Sequence, residues 1–351
     1  RFRLAASLPL GLSWGCALAT TVCGAPLAVL GGLAWALAAR QPQGQGLPRR
    51  GPLAGLLWTG LIALATFALL EPYAILDHRT FLSDVVFESL MASGRIDAPY
   101  TRQYIGTLPY LYLIQQTMVW GLGLPLGLAA WGGTSAALAG AVRRLQRREG
   151  LAADGSFVAL SWVVVYFGLV GSLHAKFLRY MLPITPQLCL FAAWGLAALW
   201  RRLRPHRLGR WLAGGTTGLV LAGTLLYALA YTNVYRQDHP WIQATAWLCE
   251  RLPRRSPIMV EHWDDPLPLY QGTGGLNCYG DHFFQRFEAY EPDDQAKLVH
   301  LMRVMRASDY IILATNRLYN TIPRLPERYP LTSRYYELLL AEELGFQLVH
   351  Y

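Results

Sequence analysis

SFVALSWVVVYFGLVGSLHAKFLRYMLPITPQLCLFAAWGLAALW, residues 156–200, decides how this chain must be read. Two apolar runs, 156–173 and 182–200, flank a short polar loop at 174–181. A helix needs about 20 apolar residues to cross the hydrocarbon core of a bilayer, and each run comes close to that length. The loop carries Lys176, Arg179 and Tyr180, and the second run opens on Pro183 and Pro186. Two cations in so short a loop serve either as anchors or as a binding site.

Working outward, five more apolar runs lie at 4–21, 26–39, 52–71, 118–142 and 211–231, which predicts seven spans in a polytopic helical membrane domain. The first two read as a helical hairpin broken at Thr20-Thr21 and Gly24-Ala25-Pro26. Residues 1–231 hold 19 Lys/Arg and 7 Asp/Glu, whereas residues 232–351 hold 12 and 15. The net charge of +9 therefore belongs to the membrane part, which speaks against a nucleic-acid partner and for membrane lipids. The chain opens on Arg1, and no charged region with a cleavage site precedes the first run, so no signal peptide is read. The expectation is a chain truncated at its N-terminus. Of 31 cations only Lys176 and Lys297 are lysine, the arginine bias of a GC-rich bacterial genome.

Arginines collect at 40–50, at 143–148 and at 201–210. With seven spans all three groups fall on one side, which the positive-inside rule makes the cytoplasm of a bacterial inner membrane. The other side then holds the long loop 72–117, the loop 174–181 and everything after about residue 232. In the long loop, Leu82, Val85, Val86 and Leu90 recur at helical spacing suited to the membrane surface. A Gly/Pro/Tyr-rich stretch follows at 94–110, and a loop of this length with its own order is more often functional than filler.

Residues 232–351 alternate helix and strand signals and predict a small extracytoplasmic α/β domain. Helices are expected at 240–252, 293–308 and 332–345, and strands at 257–262, 309–315 and 346–351. Cys249 and Cys278 fall in this domain, where a disulfide is permitted, although five cysteines without a framework favour free thiols. No repeat, GxGxxG or P-loop supports a nucleotide site.

On an outer face, Lys176, Arg179 and Tyr180 run against the usual charge bias. In helical form they fall three and four apart on one face, beside a helix start near Pro183. Such a group suits a phosphate or pyrophosphate; the alternative is snorkelling to lipid headgroups. Candidates for a substrate cleft are Glu71, Asp77, Asp97, Tyr100, Arg102 and Tyr104. The last four mix carboxylate, guanidinium and aromatic faces, which suits sugar hydroxyls and equally suits a loop docking on protein. Asp77 beside His78 lacks the further ligands a metal needs, so no cofactor is implied and a divalent metal finds no support. Glu261, Asp264 and Asp265 follow a predicted strand and read foremost as solvated turn or cap residues.

KFLRYMLPITP resembles the Lys-x-x-x-Tyr-x-x-Pro-x-x-Pro region of GT-C glycosyltransferases, the membrane enzymes that include protein O-mannosyltransferases and lipid A aminoarabinose transferases. DAPYTRQYIGTLPYLY (97–112), EHWDDPLP, and NRLYNTIPRLPERYPLTSRYYELL are similar to the bacterial, family 39-like members. The resemblance implies inverting transfer of a sugar from a polyprenyl-phosphate donor to a protein, lipid or glycan acceptor at the outer face. It places Lys176, Arg179 and Tyr180 near the lipid phosphate, and the catalytic carboxylate in a loop upstream of residue 1. A Lys common near the tip of the family's equivalent hairpin is replaced here by Thr20-Thr21, which leaves a second phosphate contact in doubt. The competing readings are a transporter or flippase of lipid-linked precursors, which expects paired broken helices, and a non-enzymatic membrane anchor for the outer domain.

Overall fold

The computed structural model describes residues 2–20, 27–29, 31–33, 50–147, 155–270 and 278–350. They divide into two compact units, Arg1–Ala228 and Leu229–Tyr351.

In the first unit α1 (Phe2–Thr20) packs along α2 (Arg50–Leu70). Small residues every fourth position make this possible, because they share one helix face. A Cβ on Gly11 would stand 2.6 Å from the Ile62 Cβ, and one on Gly15 would stand 2.5 Å from the Thr66 Cβ. The Ser7 hydroxyl donates to the Gly55 carbonyl at 3.2 Å along the same seam. The expected hairpin partner, 26–39, lies largely outside the described residues; the extensive partner of α1 is α2.

After α2 come α3 (His78–Ala92) and α4 (Leu111–Gln116) within the long loop, then α5 (Leu124–Gln146), α6 (Gly155–Val170), α7 (Thr185–Leu203) and α8 (Arg207–Asn233). Among the described residues three helical stretches are long and apolar enough to cross a membrane: Leu53–Leu70, Leu178–Leu203, and Arg207–Arg251, which contains α8. Ser156–Val170 is a shorter apolar helix. This is the pattern of a membrane protein. The predicted span 118–142 is interrupted instead of continuous. A π-turn at Thr117–Gly121 and the break at Gly123, whose φ is +76°, separate α4 from α5. The Trp120 carbonyl freed there accepts the Tyr227 hydroxyl at 2.8 Å.

Contacts fix the direction of the bundle. Gly121 lies against Leu178, and Gly133 lies so close to the Phe191 carbonyl that a Cβ would stand 2.0 Å away, so α5 and α7 run parallel. Gly223 and Tyr227 lie against Pro125 and Gly123, so α8 runs the opposite way. The end of α5 (Arg143, Arg144), the end of α7 (Arg201, Arg202) and the start of α8 (Arg207, Arg210) therefore share one end of the bundle. The opposite end holds residues 168–185 and the close of the long loop. Trp162, Tyr166, Met181, Leu188 and Phe191 form the buried centre.

In the second unit α9 (Pro240–Arg251) leads into a three-stranded parallel sheet of order β2-β1-β3. Its strands are β1 (Pro257–Glu261), β2 (Phe283–Phe287) and β3 (Tyr310–Ile312), with Pro257 opposite Phe283 and Ile258 opposite Tyr310. Helix α10 (Gln295–Arg306) joins β2 to β3, and α11 (Pro330–Leu340) follows. β2 is not among the expected strands, because FFQRF shows no clean alternation. Conversely, residues 346–350 form no strand, and His350 stacks on Trp247 at 4.5 Å.

Burial of Met259, Phe287, Leu301, Val304 and Tyr336 makes the core. Across it, Asp293 accepts the Thr332 N–H at 2.8 Å and the Lys297 ammonium at 2.6 Å, tying α10 to α11. Cys249 and Cys278 form a disulfide with Cα atoms 5.5 Å apart, which corrects the expectation of two free thiols. Their sequence separation of 29 conceals a proximity that only the fold creates.

Candidate functional site

The outer loop begins where α2 ends. Glu71 is half-buried there, and Asp77 caps α3 by accepting the Thr80 N–H at 3.4 Å. Among the described residues neither side chain joins the cluster described below, so Glu71 and Asp77 do not stand with the other cleft candidates. No group of three or more His, Cys, Asp or Glu side chains among the described residues is arranged to hold a metal.

Downstream of α3 the chain folds back onto 174–180. The Ala175 N–H donates to the Ala92 carbonyl at 3.0 Å, and Gly94, with φ +79°, lets the turn pass His174. A Cβ at Gly94 would stand 2.8 Å from the His174 Cβ, and the left-handed backbone there favours glycine in any case. Pro99–Tyr104 forms a 3-10 turn. The Arg102 guanidinium grips the Asp97 carboxylate through two bonds, Nε–Oδ1 at 3.1 Å and Nη2–Oδ2 at 2.9 Å. That fork fixes the loop itself, so these two residues act as its internal brace. Tyr110, at φ +61°, then clamps the loop to the end of α6, donating its N–H to Gly171 at 2.9 Å and its hydroxyl to Gly168 at 3.1 Å.

What the fold assembles is an aromatic hub on Phe177. Tyr104 meets its ring edge-on at 5.3 Å, Tyr180 at 5.6 Å, and Tyr100 lies at 6.4 Å. The exposed Arg179 lays its guanidinium 4.5 Å from the centroid of Phe177 and 5.8 Å from that of Tyr180. The structure thus brings together Tyr100, Tyr104, Arg179 and Tyr180 from the sequence candidates, about Phe177, which is not one of them. The signal available was a lone Phe between two cations.

Lys176 is 4% exposed. Its ammonium donates to the His174 carbonyl at 3.2 Å and reaches no carboxylate among the described residues. A buried charge without a counter-ion is costly, and burial holds the Lys176 pKa below its ordinary value. The Tyr104 phenol is pushed well above its usual range by burial first, then by Tyr112 and Tyr180, with Arg179 opposing.

One geometric expectation is corrected. Lys176 lies in irregular chain before a 3-10 segment at Leu178–Ile184, so it does not share a helical face with Arg179 and Tyr180. The α-helix proper begins at Thr185, two residues past Pro183. The carbonyls of Tyr180 and Pro183 are held by the Tyr166 hydroxyl and the Trp162 indole N–H, both at 2.9 Å, which stabilise the tighter turn.

In the second unit Glu261 and Asp264 are also not simple solvated turn residues. Glu261 ends β1 and accepts the Tyr336 hydroxyl. Burial pushes its carboxyl up to about 7 against that hydrogen bond, with Asp264 adding to the rise. Asp264 accepts Thr315 at 2.5 Å and Arg317 at 3.2 Å, while Asp265 is exposed. The cavity beside them, about 10 Å³, has room for roughly one water.

No protein-family model, curated protein or solved structure matches the chain. The site must be judged on its own geometry.

Proposed function

We propose that this chain belongs to a GT-C-like glycosyltransferase of the bacterial inner membrane, and that the Phe177 hub receives the phosphate of a polyprenyl-phosphate sugar donor. The observation that carries this reading is Lys176, a buried ammonium with no carboxylate beside it among the described residues. An arriving phosphate supplies the missing counter-charge, and Arg179 on its aromatic seat supplies a second cation. As the glycosidic C–O bond breaks, both stabilise charge growing on the departing phosphate oxygen. This assigns the chain a donor-binding role, and no general base is drawn from its residues. The acceptor is a protein, lipid or glycan.

In the proposed topology seven spans place the hub and the second unit outside and the arginine end in the cytoplasm. The shared end of the arginines supports this through the positive-inside rule. The Cys249–Cys278 bond supports it independently, since disulfides persist in oxidising compartments. A flippase expects interrupted helices in paired halves. The interruption at Thr117–Gly121 lies at the hub end of the bundle with Trp120 capped by Tyr227, which favours a shaped rim over a moving gate.

The test uses the protein purified at its natural length from its own membrane, radiolabelled polyprenyl-phosphate sugars and a membrane extract as acceptor source. Label is expected to leave the lipid, and Lys176→Met with Arg179→Gln is expected to abolish donor binding. If no donor is turned over and the double variant binds donor as well as the parent, the proposal fails.

A further inference from the structure

The helices also end on a surface that the hub does not use. Within ten residues the α7–α8 turn carries Arg201, Arg202, Arg204, Arg207 and Arg210, all exposed. Their side chains form no ion pair or hydrogen bond among the described residues. The sequence offers them little relief, because no Asp or Glu occurs between Asp154 and Asp238.

The backbone holds these charges close together. The Arg204 N–H donates to the Trp200 carbonyl at 2.9 Å, and the His206 N–H donates to Leu203 at 3.2 Å. The Arg210 N–H donates to His206 at 3.0 Å. A Cβ on Gly209 would stand 2.2 Å from the Leu203 carbonyl oxygen, so the tightness of the turn depends on glycine at that position. The last turn of α5 adds Arg143 and Arg144 at the same end of the bundle. Apolar side chains flank the arginines without protein cover. Trp211 is 75% exposed and Leu208 70% exposed, with Trp200 on the other side of the turn. Tryptophan beside arginine at the end of an apolar helix is the arrangement of a membrane–water interface.

We propose that this arginine end is a docking surface for the headgroups of acidic phospholipids. Guanidinium forks match phosphodiester oxygens in pairs, and the arginine stems lie along the acyl boundary while their heads reach the headgroup layer. A zwitterionic headgroup offers the same phosphate but cancels its charge. An acidic lipid brings the net negative charge that the five arginines of the turn find in no carboxylate among the described residues. The inference does not depend on sugar transfer.

Brominated lipids provide the test, since bromine quenches nearby tryptophan and Trp200 and Trp211 bracket the patch. The whole chain in neutral detergent is titrated with brominated phosphatidylglycerol or brominated phosphatidylcholine. Phosphatidylglycerol is expected to half-saturate quenching at a mole fraction roughly fivefold lower. Trp211→Phe should remove much of the difference, and about 0.5 M salt, where the screening length falls to about 4 Å, should abolish it. R201Q/R202Q/R204Q/R207Q/R210Q should equalise the two lipids, while the matching lysine set retains the preference. Should the glutamine set fail to fold, the salt titration and the lysine set decide. Equal quenching by both lipids in the parent overturns the proposal, as does a preference that survives high salt. Tight salt-sensitive binding of RNA without any lipid preference would also overturn it, in favour of a nucleic-acid partner.

Discussion

The guanidinium of Arg179 lies 4.5 Å from the centroid of Phe177, and the same ring meets Tyr104 edge-on at 5.3 Å. One side chain thus seats a cation and joins the outer loop to the segment before α7. Phe177→Ala should remove both. Aromatic pairs and cation–π contacts are each worth roughly 0.5–1.5 kcal/mol, so about 2 kcal/mol of stability should go with them. Thermal melts in detergent should show the loss, and hydrogen exchange should speed up across 94–110. Phe177→Leu should keep more of the packing but not the cation seat. Melts of Phe177→Ala indistinguishable from those of the parent would reject the hub.

Lys176 sets a pH limit on anion binding. Burial lowers its pKa, so the ammonium that attracts a phosphate is lost at a lower pH than for an ordinary lysine. The free chain behaves oppositely. Its unfolded state binds the extra proton, so this residue's contribution to stability rises with pH between the lowered folded pKa and the ordinary one. Donor binding measured against pH should fall on the alkaline side, and Lys176→Arg, which stays charged, should move that fall upward. An unchanged alkaline limit in the arginine variant would take Lys176 out of the site.

Much of this architecture is legible in the residues, for stated reasons. Apolar length reveals Leu53–Leu70 and Leu178–Leu203 directly, and amphipathic spacing reveals α10. Phe283–Phe287 hides because Gln285 and Arg286 break the alternation of a strand paired on one side only. The candidate site is legible in its charged members and not in its centre. Lys176 stands out as the sole lysine of residues 1–231, but its burial depends on Ala92 and Ala175 meeting across distant sequence. Composition makes Asp97 and Arg102 cleft candidates, and only the fold shows that they bond each other.

Inside the second unit Lys297 and Asp293 meet at 2.6 Å with 5% and 2% of their side chains exposed. The ammonium also donates to the carbonyls of Ala289 at 2.8 Å and Glu291 at 2.7 Å. Burial works against both charges. At Lys297 it prevails and lowers the pKa, whereas at Asp293 the bonds from Lys297 and Thr332 outweigh it and hold the carboxyl below its usual range. Removing one partner leaves the other buried and unpaired, which costs about 3–5 kcal/mol. Asp293→Asn and Lys297→Met should each destabilise by that order in urea titrations read on the second unit. The pair Asp293→Asn with Lys297→Met should cost clearly less than the sum of the two. Additive losses would mean the two charges do not stabilise one another.

Glu261 gives the same unit a pH dependence of opposite sign to ordinary acid denaturation. Its carboxyl sits at about 7 when folded against an ordinary value of 4.5, so the folded state holds the proton more tightly. The stability this proton linkage contributes is complete below about pH 4.5 and is lost as pH rises through about 7. Partial access through the adjoining cavity limits the effect to on the order of 1–3 kcal/mol. Pulse proteolysis of the whole chain between pH 5 and 8, read on the fragment from 232 onward, should show falling protection. Glu261→Gln keeps an acceptor for the Tyr336 hydroxyl without the ionisation, so its protection should stay flat over that range. A parent profile that is already flat, or a glutamine variant that still loses protection, would place the titrating group elsewhere.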